Sequence, residues 1–142
     1  MISSEEPLIL TDSDELLFRQ AHPAWVRDGR PSSQAFRPTA KDNSRLSVAR
    51  GALTTAQAAY EHHTTRLGFQ SAGTWAVAVG ECRGLSLPVE ADPITEASGQ
   101  PPDPAHAVIQ FLGLSKAQVE AKGAKLARFA SARGRLYPAP AQ

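Results

Sequence analysis

The segment Leu17–Val48 reads LFRQAHPAWVRDGRPSSQAFRPTAKDNSRLSV and alternates short apolar stretches with turn-forming residues. Pro23 ends the first apolar stretch, because proline cannot donate a hydrogen bond to a strand and restricts the residue before it. Glycine, proline and serine between the apolar stretches are typical of turns. The segment therefore predicts three short strands, at residues 16–20, 34–36 and 46–48.

Two helices are predicted downstream. Thr54 or Thr55 can accept a hydrogen bond from the first backbone amides of a helix at about 54–67. Ser115 and Gln118 have the spacing of a capping box, which begins a second helix at about 115–133. Gly123 lies in the apolar stripe of that helix, where it costs about 1 kcal/mol relative to alanine. Such a glycine predicts that the helix packs closely against a strand.

Two further strands are predicted between these helices. Thr74–Cys82 alternates large apolar residues with small ones, which predicts a central strand covered on both faces. His106–Leu112 predicts another strand. The proline-rich segment 92–104 before it predicts a long loop, of a kind that is usually functional or mobile.

The order of these elements lacks the regular alternation of a doubly wound sheet and predicts an α+β fold. We expect one domain over residues 16–134, a small mixed or antiparallel sheet packed by the two helices. Residues 1–15 are expected to be a flexible acidic segment, and 135–142 a loose tail.

Composition limits the function classes. The chain has 142 residues and a net charge of +1, so bulk charge does not favour nucleic acid or a membrane as partner. Cys82 is the single cysteine, which excludes an intramolecular disulfide and a zinc site of paired cysteines. The acidic N-terminus lacks the features of a secretory signal, and no apolar run is long enough to span a bilayer. These features predict a cytoplasmic protein, and no motif predicts a cofactor or a metal.

Five residues are candidates for catalysis: Arg19, His22, Ser47, Glu81 and His106. A guanidinium can hold a phosphate or carboxylate with two parallel hydrogen bonds, and two imidazoles can act as acid and base near neutral pH. The serine and the glutamate would orient the ligand. The structural alternatives are an ion pair between Arg19 and Asp42, and histidines that fix the paths of their loops.

Five residues are candidates for binding: Ser32, Ser33, Asp42, Lys122 and Lys125. No G-x-S-x-G nucleophile motif surrounds the two adjacent serines, so capping of turn amides is the favoured interpretation. The lysines belong to a basic last helix that could contact an acidic partner, but nearby aromatic residues for nucleic-acid stacking are missing.

His62 and His63 are adjacent on the first predicted helix. Neighbouring helical residues point about 100° apart, so we expect both to be surface or boundary residues and not a metal site.

Several pieces of the sequence resemble a family of small uncharacterised bacterial proteins. These pieces are an early Arg19, Ser32-Ser-Gln-Ala-Phe36, Leu46-Ser-Val48, Asp92-Pro93 and Pro104-Ala-His-Ala107. The resemblance covers about residues 17–130 and implies no known activity. It implies the kind of accessory protein that bacterial operons encode beside their partners.

A second resemblance is to ADP-ribosyltransferases, in which an arginine, a serine and a glutamate follow one another on separate strands. Arg19, Ser47 and Glu81 have this order. The family's Ser-Thr-Ser and Glu-x-Glu patterns are replaced here by Leu-Ser-Val and Val-Gly-Glu.

Two functions follow as expectations. The first is a non-enzymatic accessory protein that works through a protein partner encoded nearby, and it rests on the missing catalytic signature, the proline-rich 92–104 segment and the basic last helix. The alternative is an enzyme or sensor for a nucleotide or another small phosphate-bearing ligand. The alternative requires that Arg19 and His106 line the same cavity.

Overall fold

The computed structural model describes residues 8–39 and 43–139. Its strands are β1 (Leu16–Gln20), β2 (Val26–Arg27), β3 (Arg30–Pro31), β4 (Arg45–Arg50), β5 (Thr74–Ala78), β6 (Val89–Ala91) and β7 (His106–Gln110). Its α-helices are α1 (Ala56–Glu61), α2 (Val79–Gly84) and α3 (Lys116–Arg133). In these described residues, one antiparallel sheet has the strand order β5-β1-β4-β7-β6, and β2 pairs with β3 separately. The predicted α+β fold is confirmed.

One face of the large sheet forms the main core against α3. Strand pairing places Leu17 opposite Val77 and Leu46 opposite Ile109, and all four are buried. Leu126 of α3 is also fully buried in this cluster. Each such side chain contributes about 1.5–3 kcal/mol through its removal from water. The predicted start of α3 is confirmed, because Ser115 and Gln118 each bond the other's backbone amide.

On the other face of the sheet, α1 covers β1 and β5. Thr55 caps α1 by accepting a hydrogen bond from the Ala58 amide at 3.1 Å, as predicted. The helix continues into a π-helical turn, His62–Arg66, and packs on β1 and β5. Ser47 on β4 lies beyond this helix and stays exposed.

The strand predicted over Thr74–Cys82 is present and covered on both faces, but its predicted end and its predicted central position were wrong. The strand ends at Ala78, because the Glu81 carboxylate accepts a hydrogen bond from the Ala78 amide at 2.8 Å and α2 begins there. This strand, β5, lies at the edge of the sheet and is buried by helices on both faces. Its outer edge bonds to the chain at Leu136 and Tyr137.

Residues 34–36 do not form the expected strand. Ser33–Phe36 forms a 3-10 helix whose Ala35 and Phe36 are buried under α3. The close approach predicted from Gly123 is present, but it is made to this 3-10 helix. A Cβ atom at Gly123 would lie 3.1 Å from the Phe36 carbonyl oxygen and 2.6 Å from Arg37 Cγ.

Both segments outside the expected domain are packed where the structure describes them. Leu10 is buried and its amide bonds the Val89 carbonyl at 2.8 Å, which extends the sheet beyond β6. At the other end, the Tyr137 ring lies 5.2 Å from that of Tyr60. Apolar side chains at both ends explain why these segments differ from the flexible tails that we expected.

Within residues 8–39 and 43–139, no helix has the length and apolar character needed to cross a membrane.

Candidate functional site

A cavity of about 240 Å³ opens where α1 leaves the second face of the sheet uncovered. Its floor is formed by β1 and β4, and its walls by the π-helical turn and the 92–104 segment. Phe18, Leu67 and Ile94 make part of its lining apolar. Its polar lining includes three candidates from the sequence, Arg19, Ser47 and His106. Arg19 and His106 therefore line the same cavity, which the ligand-handling alternative requires.

Strand register brings Ser47 and His106 together. On β4 and β7, Ser47 is paired with Val108 and Ala49 with His106. The serine and the histidine therefore share one face at diagonal positions, within reach of a long side chain. His106 Nε2 lies 3.1 Å from Ser47 Oγ.

Asp92 determines which nitrogen of His106 carries the proton. His106 Nδ1 lies 2.9 Å from the Asp92 carbonyl oxygen and 3.2 Å from the Asp92 carboxylate. A carbonyl oxygen can only accept, so the neutral ring donates its proton from Nδ1. The Nε2 lone pair then faces the Ser47 hydroxyl. This is the arrangement in which an imidazole acts as a base towards an alcohol.

The position of Asp92 is itself fixed by the sheet. It follows β6 directly, and its amide donates to the His106 carbonyl at 2.9 Å. Its carboxylate also lies 3.4 Å from the Arg45 guanidinium. Sequence reasoning did not select Asp92, although it noted the Asp-Pro pair at the start of the loop. Only the pairing of β6 with β7 shows that Asp92 lies beside His106.

Arg19 lies where the pairing of β1 with β4 stops, one residue beyond Phe18. Its guanidinium donates to the carbonyl oxygens of Ala35 at 2.7 Å and Ser47 at 2.9 Å. These bonds anchor a permanent positive charge at the cavity wall, directly beside the backbone of Ser47.

His62 and His63, expected to be surface or boundary residues, are both half-buried and line the cavity. Burial and the nearby Arg19 charge lower the pKa of His63 below its ordinary value of 6.5. His62 Nε2 lies 3.7 Å from the Asp103 carboxylate, which connects the helical turn to the 92–104 segment. The two histidines were not selected as site residues, because adjacent positions on a helix point in different directions, yet both border this cavity.

His22 is not in this cavity. Its Nδ1 accepts a hydrogen bond from the Ala24 amide at 3.0 Å, and its ring lies 5.9 Å from that of Trp25. It lines a neighbouring depression that Arg19 and His63 also border. The predicted acid–base pair of His22 and His106 is therefore not assembled, and His22 has the loop-fixing role given as its alternative.

Glu81 is also separate from the cavity. Besides capping α2, its carboxylate pairs with Arg133 at 2.8 Å and 3.2 Å. The three residues that carried the resemblance to ADP-ribosyltransferases are thus not brought together. Neighbouring Cys82 is buried, and burial together with Glu81 raises the pKa of its thiol to about 12.

The predicted binding residues lie elsewhere. Ser32 Oγ is buried without a hydrogen-bond partner, so the expected capping of turn amides by this serine was wrong, and Ser33 begins the 3-10 helix. Lys122 donates to the Leu85 carbonyl, and Lys125 is exposed on α3. Asp42 lies outside the described residues.

The described ranges, 8–39 and 43–139, contain no group of three or more histidine, cysteine or acidic residues that could hold a metal ion. Comparison of the chain with family models, curated proteins and solved structures gave no match.

Proposed function

We propose that the protein binds a small ligand with a phosphate or carboxylate group in this cavity, and that His106 performs acid–base chemistry on it. The observation that carries the proposal is the shared lining by Arg19, Ser47 and His106. A cavity of about 240 Å³ suits a small metabolite better than a polymer.

The charges support an anionic ligand. Arg19 stays protonated at all physiological pH values, and its charge is held at the wall by two backbone carbonyls. Phe18 and Leu67 add apolar surface to the same cavity, which would take the uncharged part of such a ligand out of water.

The accessory-protein expectation has less support from the geometry. The 92–104 segment contributes Ile94 and Gln100 to the cavity wall, and it contains a short 3-10 helix, Glu96–Ser98. Lys122 of the basic helix is engaged by a backbone carbonyl. Two features that favoured a protein partner thus have uses within the fold, and the ligand-handling alternative is our conclusion.

The test is a titration of ¹⁵N-labelled protein with inorganic phosphate, adenosine monophosphate and succinate, followed by amide chemical shifts. We expect shifts confined to the cavity lining, including Ser47, Ala49 and Gln100. Arg19→Gln is expected to weaken the binding at least tenfold. The matched control is Arg128→Gln, which removes an exposed arginine of α3 away from the cavity.

Arg19→Lys is a second variant, in case the loss of both carbonyl contacts unfolds Arg19→Gln. It retains the charge and loses the planar donor geometry, so it should bind anions more weakly than the natural protein but remain folded. The absence of any cavity shift at millimolar concentrations of all three anions would contradict the proposal.

A further inference from the structure

We infer that Ser47 is a nucleophile activated by His106, with Asp92 as positioning residue, and that the reaction is hydrolysis of a small ester carrying an anionic group. This inference rests on the proposed function for the anionic part of the substrate. The reaction class rests on the contacts among Ser47, His106 and Asp92.

The hydrogen bonds around His106 have a defined direction. The Asp92 carbonyl holds the proton on His106 Nδ1, so Nε2 accepts from the Ser47 hydroxyl at 3.1 Å. A nucleophile, a base within hydrogen-bond reach and a third group that orients the base are the requirements for covalent catalysis by serine. The constellation is recognised by geometry and recurs on unrelated folds.

A substrate must also be able to reach the Ser47 hydroxyl. Ser47 is exposed at the cavity, whereas the His106 side chain is 15% exposed and confined between Ser47 and Asp92. A substrate can therefore reach the hydroxyl while the imidazole keeps its orientation.

The reaction also requires stabilisation of the negative charge that forms in it. Attack on an ester places negative charge on the former carbonyl oxygen, and a fixed positive charge beside that oxygen lowers the barrier. The Arg19 guanidinium donates to the Ser47 backbone carbonyl at 2.9 Å, so its positive charge is held next to the backbone of the residue that carries the nucleophile.

The chemistry balances without a further reactant besides water. Ser47 Oγ forms a bond to the ester carbon while its proton moves to His106 Nε2. The bond from carbon to the leaving alcohol oxygen then breaks, and that oxygen takes the proton from Nε2. Water attacks the acyl-serine in the same way, the bond from carbon to Oγ breaks, and Oγ recovers its proton. The products are an alcohol and a carboxylic acid.

The apolar lining suits the acyl part of such a substrate. Phe18, Leu67 and Ile94 line the same cavity as the Ser47–His106 pair. Its volume of about 240 Å³ limits the acyl group to a short chain or a single ring.

The test uses a fluorophosphonate probe, which phosphonylates activated serines with loss of fluoride. Labelling is followed by intact mass spectrometry, and the adduct is located by peptide mapping. We expect one adduct, on Ser47, with at least a hundredfold slower labelling in Ser47→Ala and in His106→Gln. The matched control, Ser131→Ala on α3, should label at the natural rate.

A second measurement reports directly on the hydrogen bonds. The imidazole ¹⁵N spectrum should show His106 as the Nδ1-protonated tautomer in the natural protein. The inference is overturned if His106 is protonated on Nε2 when neutral, or if the probe labels Ser47 no faster than Ser131.

The two proposals fail separately, because the probe is uncharged and does not need Arg19 for recognition. Binding of anions without labelling of Ser47 would retain the ligand site and overturn the nucleophile. Labelling of Ser47 without binding of any anion would support the nucleophile and overturn the proposed anionic ligand.

Discussion

Replacement of Asp92 by asparagine tests how the histidine is oriented. In serine proteases, where a carboxylate alone selects the tautomer, this exchange costs on the order of 10⁴ in rate. Here the Asp92 backbone carbonyl also contacts His106 Nδ1, at 2.9 Å, and the exchange leaves that carbonyl in place. The tautomer should therefore survive, and only the charge of the carboxylate is lost.

The expected loss of rate follows from the distance between the Asp92 carboxylate and the His106 ring, and from the exposure of that carboxylate. The carboxylate lies 3.2 Å from Nδ1, and its side chain is 41% exposed, so the dielectric constant is close to that of water. Coulomb's law then gives about 1.3 kcal/mol for the attraction between the carboxylate and a protonated imidazole. This energy corresponds to about a tenfold slower reaction of Ser47 with the probe.

The assay separates the maximal rate of fluorophosphonate labelling from the concentration that gives half of it. Asp92→Asn should lower the maximal rate about tenfold and leave the half-saturating concentration unchanged. Glu96→Gln removes the same charge from an exposed position in the same segment and should change neither value. A loss above about a thousandfold would refute the role given to the carbonyl, and no loss would refute the role of the carboxylate.

Three further predictions concern stability. Glu15→Ala should lower the free energy of unfolding by about 3–5 kcal/mol in urea titrations, because it leaves Arg50, its partner at 2.9 Å, partly buried and unpaired. Ser115→Ala should cost about 1 kcal/mol by the same assay, since it removes the cap of α3. The folded thiol of Cys82 stays protonated to a pKa of about 12, whereas the unfolded thiol ionises near 9.0, so stability should fall as pH rises above 9. The loss between pH 9 and 10 should be about 1 kcal/mol greater in the natural protein than in Cys82→Ala.

Local signals predicted the parts of the fold that depend on local chemistry. The caps of α1 and α3 were readable because Thr55 and Ser115 bond amides only three residues away. The end of the strand predicted over Thr74–Cys82 was wrong because the local pattern there is ambiguous. Alternation continues past Ala78, and the carboxylate of Glu81 that begins α2 is a single side chain within an apolar run.

The site was only partly predictable because it depends on pairing between distant strands. Ser47 and His106 could be selected as reactive types, but they are 59 residues apart, and their contact exists only in the β4–β7 register. A register shifted by one residue would place one of them on the opposite face. Asp92 depends in the same way on the pairing of β6 with β7.

Arg19 connects the fold to the chemistry of the cavity. It bonds the Ser47 carbonyl where the pairing of β1 with β4 has ended, and thereby satisfies a backbone group that the sheet leaves open. Burial, together with the same charge, lowers the pKa of His63. Folding is therefore weakened as pH falls below 6.5, where the unfolded histidine takes up a proton. At neutral pH His63 is therefore uncharged, and its imidazole does not compete with Arg19 for an anion. Arg19 thus provides a hydrogen-bond donor to the Ser47 carbonyl and holds a permanent positive charge at the cavity wall, where the proposed anionic ligand would bind.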